Sequence, residues 1–377
     1  MNKLLLALAL LLVVPLPGCA KPAPPHRAKA AQVTLPPERR VLVIVNDNSA
    51  ASRAIGAYYV RRRHIPAAYI CHVRCAVQED IPEDDFTVSI LAPVADALAR
   101  APLSQTVDYL VVTKGIPLRI QSSVTVPDPR FSPNGDSVDG RLMTQDIAQL
   151  ASPSRNPYFN SQVTFTHRQF PLYLTTRLDG YTVQDAEALV DRALAARPAP
   201  GTFLLDGAPT RSGGNDPTHL NEGLTTAAAQ LRARHLRVML DQSLSFVGSI
   251  PNLMGYWSWG SNDPQFNLEA YKGDKWRPGA IAETAVSTSA RTMLPTQGGQ
   301  SLIADLVQTG VTGVKGYVAE PYTLAMARPD IMFERYTRGW TLADSFYAAS
   351  QVMHWKDVVL GDPLCAPYAG SKYAPAK

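Results

Sequence analysis

The chain has 377 residues, enough for one large or two smaller domains, and 46% of them are hydrophobic. Its 36 basic and 32 acidic residues give a net charge of +4 and are spread along the sequence without a dense basic stripe. The one run of three basic residues, Arg61-Arg62-Arg63, is typical of the solvated end of a helix. Composition and charge therefore argue against a nucleic-acid partner.

The first residues have the pattern of an export signal. An apolar stretch from Leu4 to Pro15 is too short to span a membrane as a helix, and a cleavage site follows at Leu16-Pro17-Gly18-Cys19. The Gly-Cys pair resembles a bacterial lipobox, which implies that Cys19 becomes the lipidated first residue of a lipoprotein. Residues 1–19 are thus predicted to be a lipoprotein signal peptide. Pro17 is unusual at its position, so cleavage by an ordinary signal peptidase stays open as an alternative.

The stretch that follows predicts a tether, and together with the signal it predicts the location of the protein. Residues 20–38 are rich in Pro and Ala and are predicted to be a disordered tether between the lipid anchor and the folded part. No later run is long and apolar enough to cross a membrane. The protein is therefore expected to be exported and held as a lipoprotein of the bacterial cell envelope, at the periplasmic face or the outer membrane. The membrane is its expected partner through the N-terminal lipid.

Export also permits disulfide bonds. Three cysteines follow the lipobox, at positions 71, 75 and 365, so at least one thiol stays free. A Cys71–Cys75 bridge is doubtful if the first residue lies on a strand, because disulfides require a narrow range of Cα separations. A Cys75–Cys365 bridge is equally allowed, and the sequence leaves the pairing open.

From Arg40 onward, strand and helix patterns alternate. The apolar run from Val41 to Val45 predicts a strand buried on both faces, and the polar turn at 46–49 suits the cap of a following helix. Further strands are predicted near 68–73, 107–113, 172–178, 202–205, 237–240, 253–257, 280–285, 314–318 and 357–360. Helices are predicted near 88–100, 182–196, 220–234, 301–309 and 342–351. The alternation predicts an α/β fold, a three-layer sandwich whose largely parallel sheet is covered on both faces.

Residues 121–170 interrupt this alternation. They are rich in Ser, Pro, Asn and Gly and have no sustained hydrophobic period. Long irregular segments inside a compact chain are usually functional. We therefore divide the folded part into an N-terminal α/β lobe at 39–120, an irregular insertion at 121–170 and a C-terminal α/β lobe at 171–370.

One polar segment of the insertion is similar to a fragment of a calcium loop. Asn134 to Gly140 supplies side-chain oxygens at close spacing, but calcium binds six or more oxygens and only part of such a set is present. A polar turn is therefore favoured, with calcium at Asp136 and Asp139 as the alternative. No other metal site and no cofactor is predicted, because the Cys71–Cys75 segment lacks zinc-ligand spacing and the glycine-rich stretch after Asp206 lacks the ending of a phosphate loop.

Several segments in combination resemble a family of uncharacterised bacterial exported proteins and lipoproteins. They are 108–118, 176–180, 255–263, 278–284, 310–318 and 361–365. The second half more distantly resembles the gingipain-type cysteine peptidases, which have a caspase-like fold. In that family a Gly-His-Gly-Ser segment carries the catalytic histidine, and a later strand end carries the cysteine. The resemblance implies a caspase-like scaffold built as two lobes.

The same resemblance shows that the catalytic dyad is missing. Ser258-Trp259-Gly260-Ser261 matches the histidine segment, so that Trp259 stands where the histidine would be. The strand end near 284–289 contains no cysteine. A thiolate nucleophile needs a basic partner, and an indole cannot accept a proton. Cysteine-peptidase activity is therefore not expected, and the chain is interpreted as a pseudoenzyme.

Polar residues after the predicted strands mark a candidate ligand-binding cleft. Open α/β sheets bind ligands beyond the carboxyl ends of their strands. In the second half the candidates are Ser258, Trp259, Ser261, Asn262, Asp263, Thr288 and Ser289, and their first-half equivalents are Asn46, Asn48, Lys114 and Arg119. Trp257 and Trp259 lie on one face of a strand, so they are not both expected in the core; a simple packing role beneath the long loop is favoured, with an aromatic platform for a sugar or peptide as the alternative.

Weak candidates for catalysis are Asp263, Glu283, Ser289 and Arg291. Carboxylates at strand ends, such as Glu283 and Glu320, suit acid–base hydrolysis of a glycan, although simple pairing with Lys315 or Arg291 is favoured. The leading hypothesis is a cell-envelope lipoprotein that binds a peptide or glycan in the cleft without peptidase chemistry. The alternatives are a hydrolase of peptides or glycans with a non-Cys/His mechanism and a structural protein of envelope assembly.

Overall fold

The computed structural model describes residues 35–198, 200–211 and 217–373, without the side chains of 217–219. The predicted signal peptide, the lipidation site Cys19 and most of the tether at 20–38 lie outside the described residues. From Leu35 onward the chain forms one compact unit. Within the described part, no helix has the length and apolar character needed to cross a bilayer.

Ten strands form the central sheet. From one edge to the other they are β10 (Arg237–Asp241), β9 (Thr202–Asp206), β11 (Leu253–Ser258), β12 (Trp276–Thr284), β13 (Gly313–Tyr317), β15 (Asp357–Gly361), β8 (Leu174–Leu178), β4 (Tyr109–Thr113), β1 (Val41–Asn46) and β2 (Ile70–Val73). Pairings along the sheet are parallel except that between β13 and β15, which is antiparallel. β15 meets β8 through the single residue pair Leu360 and Arg177. Strands from both predicted lobes thus share one sheet.

Helices cover both faces of this sheet. On one face α1 (Ala50–Arg63), α6 (Val183–Ala195), α8 (Leu268–Gly273) and α9 (Ile303–Thr309) pack in a row, and on the other α7 (Pro217–Ala233), α10 (Pro329–Thr337) and α11 (Leu342–Ala349) do so. Successive residues of β11 point to opposite faces, because Tyr256 contacts Tyr271 of α8 whereas Trp257 donates a hydrogen bond to Ala327 O, close to α10. The predicted three-layer α/β architecture is confirmed.

The remaining elements are short. They are β3 (Asp80–Pro82), α2 (Glu83–Phe86), a π-helical stretch (Thr87–Leu91), α3 (Ala92–Leu98), α4 (Leu103–Thr106), β5 (Arg119–Gln121), β6 (Asp136–Ser137), α5 (Val138–Met143), β7 (Ser154–Arg155) and β14 (Val352–Met353). Residues 121–170 therefore contain little regular structure. β3, β5 and β6 form a small sheet, and β7 pairs with β14 in a second one.

Local sequence explains where the main helices begin. Ser49 caps α1 by accepting a hydrogen bond from the backbone N–H of Ser52, and His64 ends it in the left-handed conformation at φ 56°. Thr182 and Asp185 form a reciprocal capping box at the start of α6. These caps place both helices at the ends of strands that the apolar pattern already marked.

Helix α10 is absent from the sequence-based prediction. Pro329 at its first position and Asp330 in its first turn are ordinary helix-start signals. Residues on nearly every side of this helix are buried, however, so the apolar pattern has no polar face and no clear helical period. Burial between α7 and α11 explains the miss.

The insertion is attached to the sheet by two buried ion pairs. Asp139 bonds Arg177 of β8 at 2.5 Å, and Asp136 bonds Lys356 at 3.0 Å. Both carboxylates therefore face protein cations, which agrees with the favoured polar turn and not with the calcium alternative. Cys71, Cys75 and Cys365 are buried free thiols, so neither of the considered disulfide bridges is present.

Candidate functional site

Two crevices arise where the strand order reverses. β9 lies between β10 and β11, and β1 lies between β2 and β4, so successive connections leave the strand ends in opposite directions. The carboxyl ends of the strands around the two crevices lie at the same edge of the sheet. The ammonium of Lys114, which follows β4, donates hydrogen bonds to Gly180 O after β8 and to Met293 O after β12. Counting strands at ~4.8 Å each, the crevices lie roughly 30 Å apart along the sheet. The first-half and second-half candidates therefore do not form one pocket.

Asp206 lies at the crevice between β9 and β11. It is the register partner of Ser258, which in turn faces Thr284 at the end of β12. Asp206 is only 1% exposed, and its carboxyl oxygens accept no hydrogen bond of normal geometry among the described residues, although the backbone N–H of Val247 lowers its pKa. The sequence around Asp206 predicts only the start of a glycine-rich loop. An acidic residue directly at the end of a buried strand was the signal that could have singled it out.

The pKa of the Asp206 carboxyl is strongly raised. Burial raises the pKa of its carboxyl to about 8, the backbone N–H of Val247 partly offsets this rise, and the charges of Asp241, Asp263 and Asp274 add to it. At neutral pH the carboxyl is therefore largely protonated. A positive charge placed beside it would favour the ionised form.

Two adjoining cavities form a groove that begins at Gly207, the residue after Asp206, while Asp206 itself lines neither cavity. The cavities have volumes of about 270 and 130 Å³ and share Ala208 and Pro209. Their other lining residues are Gly207, Thr210, Asn221, Leu224, Gln242, Ser243, Leu244, Asp263, Pro264 and Gln265. Among the described residues, the lining thus carries a carboxylate and several amides and hydroxyls but no lysine or arginine. Of the predicted cleft residues, Asp263 alone lines this groove.

Trp259 supports the groove from behind. Its indole is 4% exposed, packs edge-to-face on Trp257 with ring centroids 6.0 Å apart, and donates a hydrogen bond to Asn221 Oδ1 at 3.0 Å. Asn221 in turn donates to Ala208 O at 3.3 Å. Both tryptophans are buried, so the expectation that they cannot both lie in the core is wrong, and the packing role that the sequence favoured holds; the buried indole of Trp259 presents no open face to a sugar ring.

Two predicted serines are fully buried. Ser258 donates to the Tyr256 hydroxyl at 2.7 Å and accepts from the backbone N–H of Gly260 at 3.0 Å. Ser289 accepts from the backbone N–H of Tyr317 at 3.3 Å. Both hydroxyls thus stabilise the turns after their strands.

The remaining second-half candidates lie against one segment, which we call the cap segment (residues 285–302). Gln300 joins its two arms, because its Oε1 accepts from the backbone and hydroxyl of Thr288 and its Nε2 donates to Asn262 Oδ1. Asn262 also donates to Ala285 O at 2.6 Å, and Ser261 Oγ accepts from the backbone of Ser301 at 2.9 Å. These side chains use their polar groups to hold the cap segment on the strand ends.

The cap segment also reaches the first half of the sheet. Arg119 donates to Arg291 O and pairs with Asp80, and Lys114 donates to Met293 O and to Asp179 at 3.1 Å in each case. The guanidinium of Arg291 donates to backbone carbonyls within the cap segment itself. Three predicted cationic residues therefore fix this loop in place.

Asn46 and Asn48 stabilise the turn after β1. The amide of Asn46 is fully buried and donates to Gly115 O and Cys75 O, while its Oδ1 accepts from the backbone of Cys75 and Asn48. The exposed Asn48 donates to Cys75 O at 3.1 Å. All polar groups of Asn46 are thus used within the protein.

The candidate glutamates have different surroundings. Glu283 is fully buried and accepts a hydrogen bond from the Tyr317 hydroxyl at 2.5 Å, and burial raises its pKa to about 8. Lys315 lies beside it on β13, but its ammonium pairs with Asp357 at 3.3 Å. Glu320 is exposed and accepts from the backbone of Tyr322. Lys315 therefore acts on Glu283 through its charge, which partly offsets the raised pKa, while its ammonium forms its ion pair with Asp357 and the guanidinium of Arg291 donates to backbone carbonyls.

No group of three or more His, Cys, Asp or Glu side chains is placed to hold a metal ion in the part of the chain that the structure describes. The carboxylates around Asp206 interact with it electrostatically without converging on one point. The arrangement is suited to attracting a positive charge and supplying hydrogen bonds, and it lacks an evident nucleophile.

Comparison with solved structures gives distant matches. One is the complex of the pro- and mature domains of RgpB from Porphyromonas gingivalis, with 12% identity, 87% of this chain and 79% of that chain covered, and a TM-score of 0.48. Another is a structure described as a protease, with 11% identity, 88% and 79% coverage and a TM-score of 0.45. No family model and no curated protein matches the chain. Membership of the family of exported proteins therefore stays a prediction.

Proposed function

We propose that this protein binds a peptide through a basic side chain, in the groove beside Asp206, and performs no cysteine-peptidase chemistry. The observation that carries this proposal is the buried carboxyl of Asp206, whose oxygens accept no hydrogen bond of normal geometry among the described residues. A buried carboxyl without partners is costly, and a cation beside it restores the lost interaction. Asp263 adds negative charge to the same groove.

The dimensions of the groove favour a side chain over a larger molecule. Each of its two cavities, at about 270 and 130 Å³, is by itself smaller than the roughly 300 Å³ at which small-molecule sites begin, so each has the size for a single side chain. Asn221 and Gln242 supply hydrogen-bonding groups on the wall. Lysine or arginine combines an elongated shape with the charge that this lining complements. A basic peptide therefore fits better than a neutral glycan.

The absence of peptidase chemistry is supported by the strand ends. β11 is followed by the buried Trp259, and β12 ends at Thr284 and is followed by Ala285, so neither end presents a base or a thiol. Burial raises the pKa of Cys71 and Cys75 to about 11 and that of Cys365 to about 12. Thiols with such pKa values supply almost no thiolate at neutral pH.

The proposal is tested by peptide binding. The form that begins at Lys21 contains the whole compact unit, and it would be titrated with fluorescent peptides that differ in one position, Arg, Lys, Ser or Asp. We expect saturable binding of the Arg and Lys peptides and a loss of about tenfold or more in affinity in Asp206→Asn. Because Asp206 must ionise to bind a cation, affinity should rise as the pH approaches about 8.

Asp128→Asn is the matched control. Asp128 pairs with Arg130 outside the groove, so its loss should leave binding unchanged. Equal binding by wild type and Asp206→Asn, or no preference for basic peptides, would contradict the proposal.

Mass spectrometry of the same mixtures detects turnover, and products that disappear in Asp206→Asn would make the protein a hydrolase of non-Cys/His mechanism. Failure of all peptides and envelope glycans to bind would favour the structural role.

Location in the cell envelope forms the second part of the proposal. The lipobox-like Gly18-Cys19 supports lipidation at Cys19, followed by anchoring at the periplasmic face or the outer membrane. Metabolic labelling with an alkyne fatty acid should mark the full-length protein in bacterial cells, and Cys19→Ser should abolish the label. Cys365→Ser serves as the control, and persistence of the label in Cys19→Ser would refute the anchor.

A further inference from the structure

We propose that the insertion forms a second binding site, for an extended peptide that carries two apolar side chains and an acidic residue. The site lies between the arch at 123–133, the β7 region and the segment before β15. It is separate from the Asp206 groove and does not depend on the function proposed for that groove. Its basis is a pair of open cavities with apolar walls, a rigid polar floor and one unpaired cation.

Two cavities of about 560 and 480 Å³ adjoin each other and share Phe131, Ala151 and Ser152. Both volumes lie within the range of roughly 300–1,000 Å³ that is typical of ligand pockets. Val124, Phe131 and Leu324 are 55%, 38% and 40% exposed at their rims. Large apolar side chains exposed side by side are typical of interaction surfaces.

The floor of this site is held by buried charges. Asp136 is fully buried and accepts hydrogen bonds from Ser152 Oγ at 2.8 Å and from Lys356 Nζ at 3.0 Å. Lys356 also donates to Ser132 O and Asn134 O, at 2.8 and 2.7 Å. The wall shared by the two cavities and the base of the arch are therefore fixed by one ion pair. Supporting contacts of this kind preorganise a binding site.

Hydrogen-bonding groups line the smaller of the two cavities. Arg141 donates to Glu83 Oε1 at 2.8 Å and lies 3.8 Å from Asp136 Oδ2. His354 lies 2.5 Å from Thr144 Oγ1 through Nδ1, and its Nε2 has no partner among the described residues. Burial and the nearby Arg141 lower the pKa of His354 to about 4, so the ring is neutral at physiological pH.

The net charge of the lining residues indicates which charged residue the bound peptide would carry. The lining carboxylates, Glu83 and Asp128, are both paired with arginines of this chain. Arg155 is exposed and has no ion-pair partner within the described residues. The uncompensated charge of the site is therefore positive, and an acidic side chain complements it.

The shape of the site favours an extended peptide. Among the described residues β7 pairs only with β14, so its other edge has no strand partner, and we infer that an added strand pairs there. Side chains on one face of such a strand lie about 6.6 Å apart, which suits two cavities that share a wall. A peptide that pairs with β7 would place alternate apolar side chains in the two cavities and its acidic residue near Arg155.

The experiment uses the form that begins at Lys21 and a library of acetylated heptapeptides. Two alternate positions would hold Phe, Leu or Ser, and a neighbouring position would hold Asp, Lys or Ser. We expect saturable binding only where both alternate positions are apolar and the third is Asp. No saturable binding, or binding that is indifferent to the acidic residue, would overturn the proposal. Displacement of bound peptides by myristate at lower concentration than by unlabelled peptide would also overturn it, in favour of an acyl ligand.

Surface substitutions distinguish specific binding at this site from non-specific hydrophobic binding. Phe131→Ala should weaken binding about tenfold, as is usual for an aromatic anchor. Arg155→Glu should reverse the preference from Asp to Lys peptides. Val88→Ala, at an apolar residue that is 73% exposed elsewhere, should change nothing. Unchanged affinity in Phe131→Ala or a retained preference for Asp in Arg155→Glu would refute the site, and Asp206→Asn should leave it intact.

Discussion

The guanidinium of Arg177 and the carboxylate of Asp139 form an ion pair that is completely buried and joins β8 to the insertion. Arg177 also donates to Ile116 O and Pro117 O, at 2.7 and 2.9 Å. Burial raises the pKa of Asp139 even though Arg177 opposes the rise. A buried charge is tolerated only while its partner is present, so this pair makes the insertion an integral part of the fold.

Removal of one partner of this pair should destabilise the whole protein. We expect Asp139→Asn to lower the free energy of unfolding by about 3–5 kcal/mol, because Arg177 then lacks its counter-charge in the core. Urea unfolding followed by circular dichroism measures this loss. In the double variant Asp139→Leu/Arg177→Met the loss should be smaller than the sum of the two single losses. The exposed control Asp128→Asn should show no measurable change, and an equally small effect of Asp139→Asn would disprove the coupling.

The ionisation of Asp206 should make stability depend on pH. In the unfolded chain its pKa is about 3.9, whereas in the folded protein it is about 8. Its contribution to stability is therefore fully present below about pH 4 and is lost as the pH rises through about 8. Asp206→Asn cannot ionise, so its stability relative to wild type should increase across this window and level off above it. Parallel stability curves for the two proteins, from chemical unfolding at several pH values, would contradict the assigned pKa.

The amide of Gln300 should control the mobility of the cap segment. Gln300→Ala removes the hydrogen bonds that join Thr288 to Asn262 through this side chain. Hydrogen–deuterium exchange in the cap segment should then become faster, with little change in the global free energy of unfolding. Gln297→Ala, at an exposed residue of the same loop, is the matched control. Identical exchange in the two variants would show that the other contacts of the segment suffice.

The free thiols should be unreactive in the native protein. Cys71, Cys75 and Cys365 are buried, and burial raises their pKa to about 11, 11 and 12. In the form that begins at Lys21, alkylation by iodoacetamide at pH 8 should be slow for all of them and complete after denaturation, as counted by mass spectrometry. Cysteines that become available only after reduction would instead reveal a disulfide bridge.

The elements of the sheet could be predicted from sequence because their pattern is local. The run Val41 to Val45 and the apolar part of β9 are continuous and buried on both faces, and the caps at Ser49 and Thr182 lie within one turn of their helices. Helix α10 could not be predicted from its local pattern, because it has no polar face. The roles of the polar residues were harder to predict. Ser258 and Ser289 look like cleft residues in the sequence, yet both hydroxyls are buried in backbone turns.

Asp206 illustrates why the candidate site was only partly predictable. Its position at a strand end was predicted, and so was the general rule that ligands bind at such ends. The surroundings of its carboxyl depend on which loops lie next to it, and these come from β10, β11 and the turn near Val247. No pattern within a few residues of Asp206 contains that information.

By itself, the sequence determined the α/β class, the buried strands and the helix caps, because each of these depends on neighbouring residues. The tertiary structure alone decided the order of the strands, the capping of their ends by residues 285–302 and the partners of each charge. Asp136 and Lys356, for example, are 220 residues apart in sequence and 3.0 Å apart in space. Charges act through distance in space and through the water excluded around them, and both are set only when remote segments pack together.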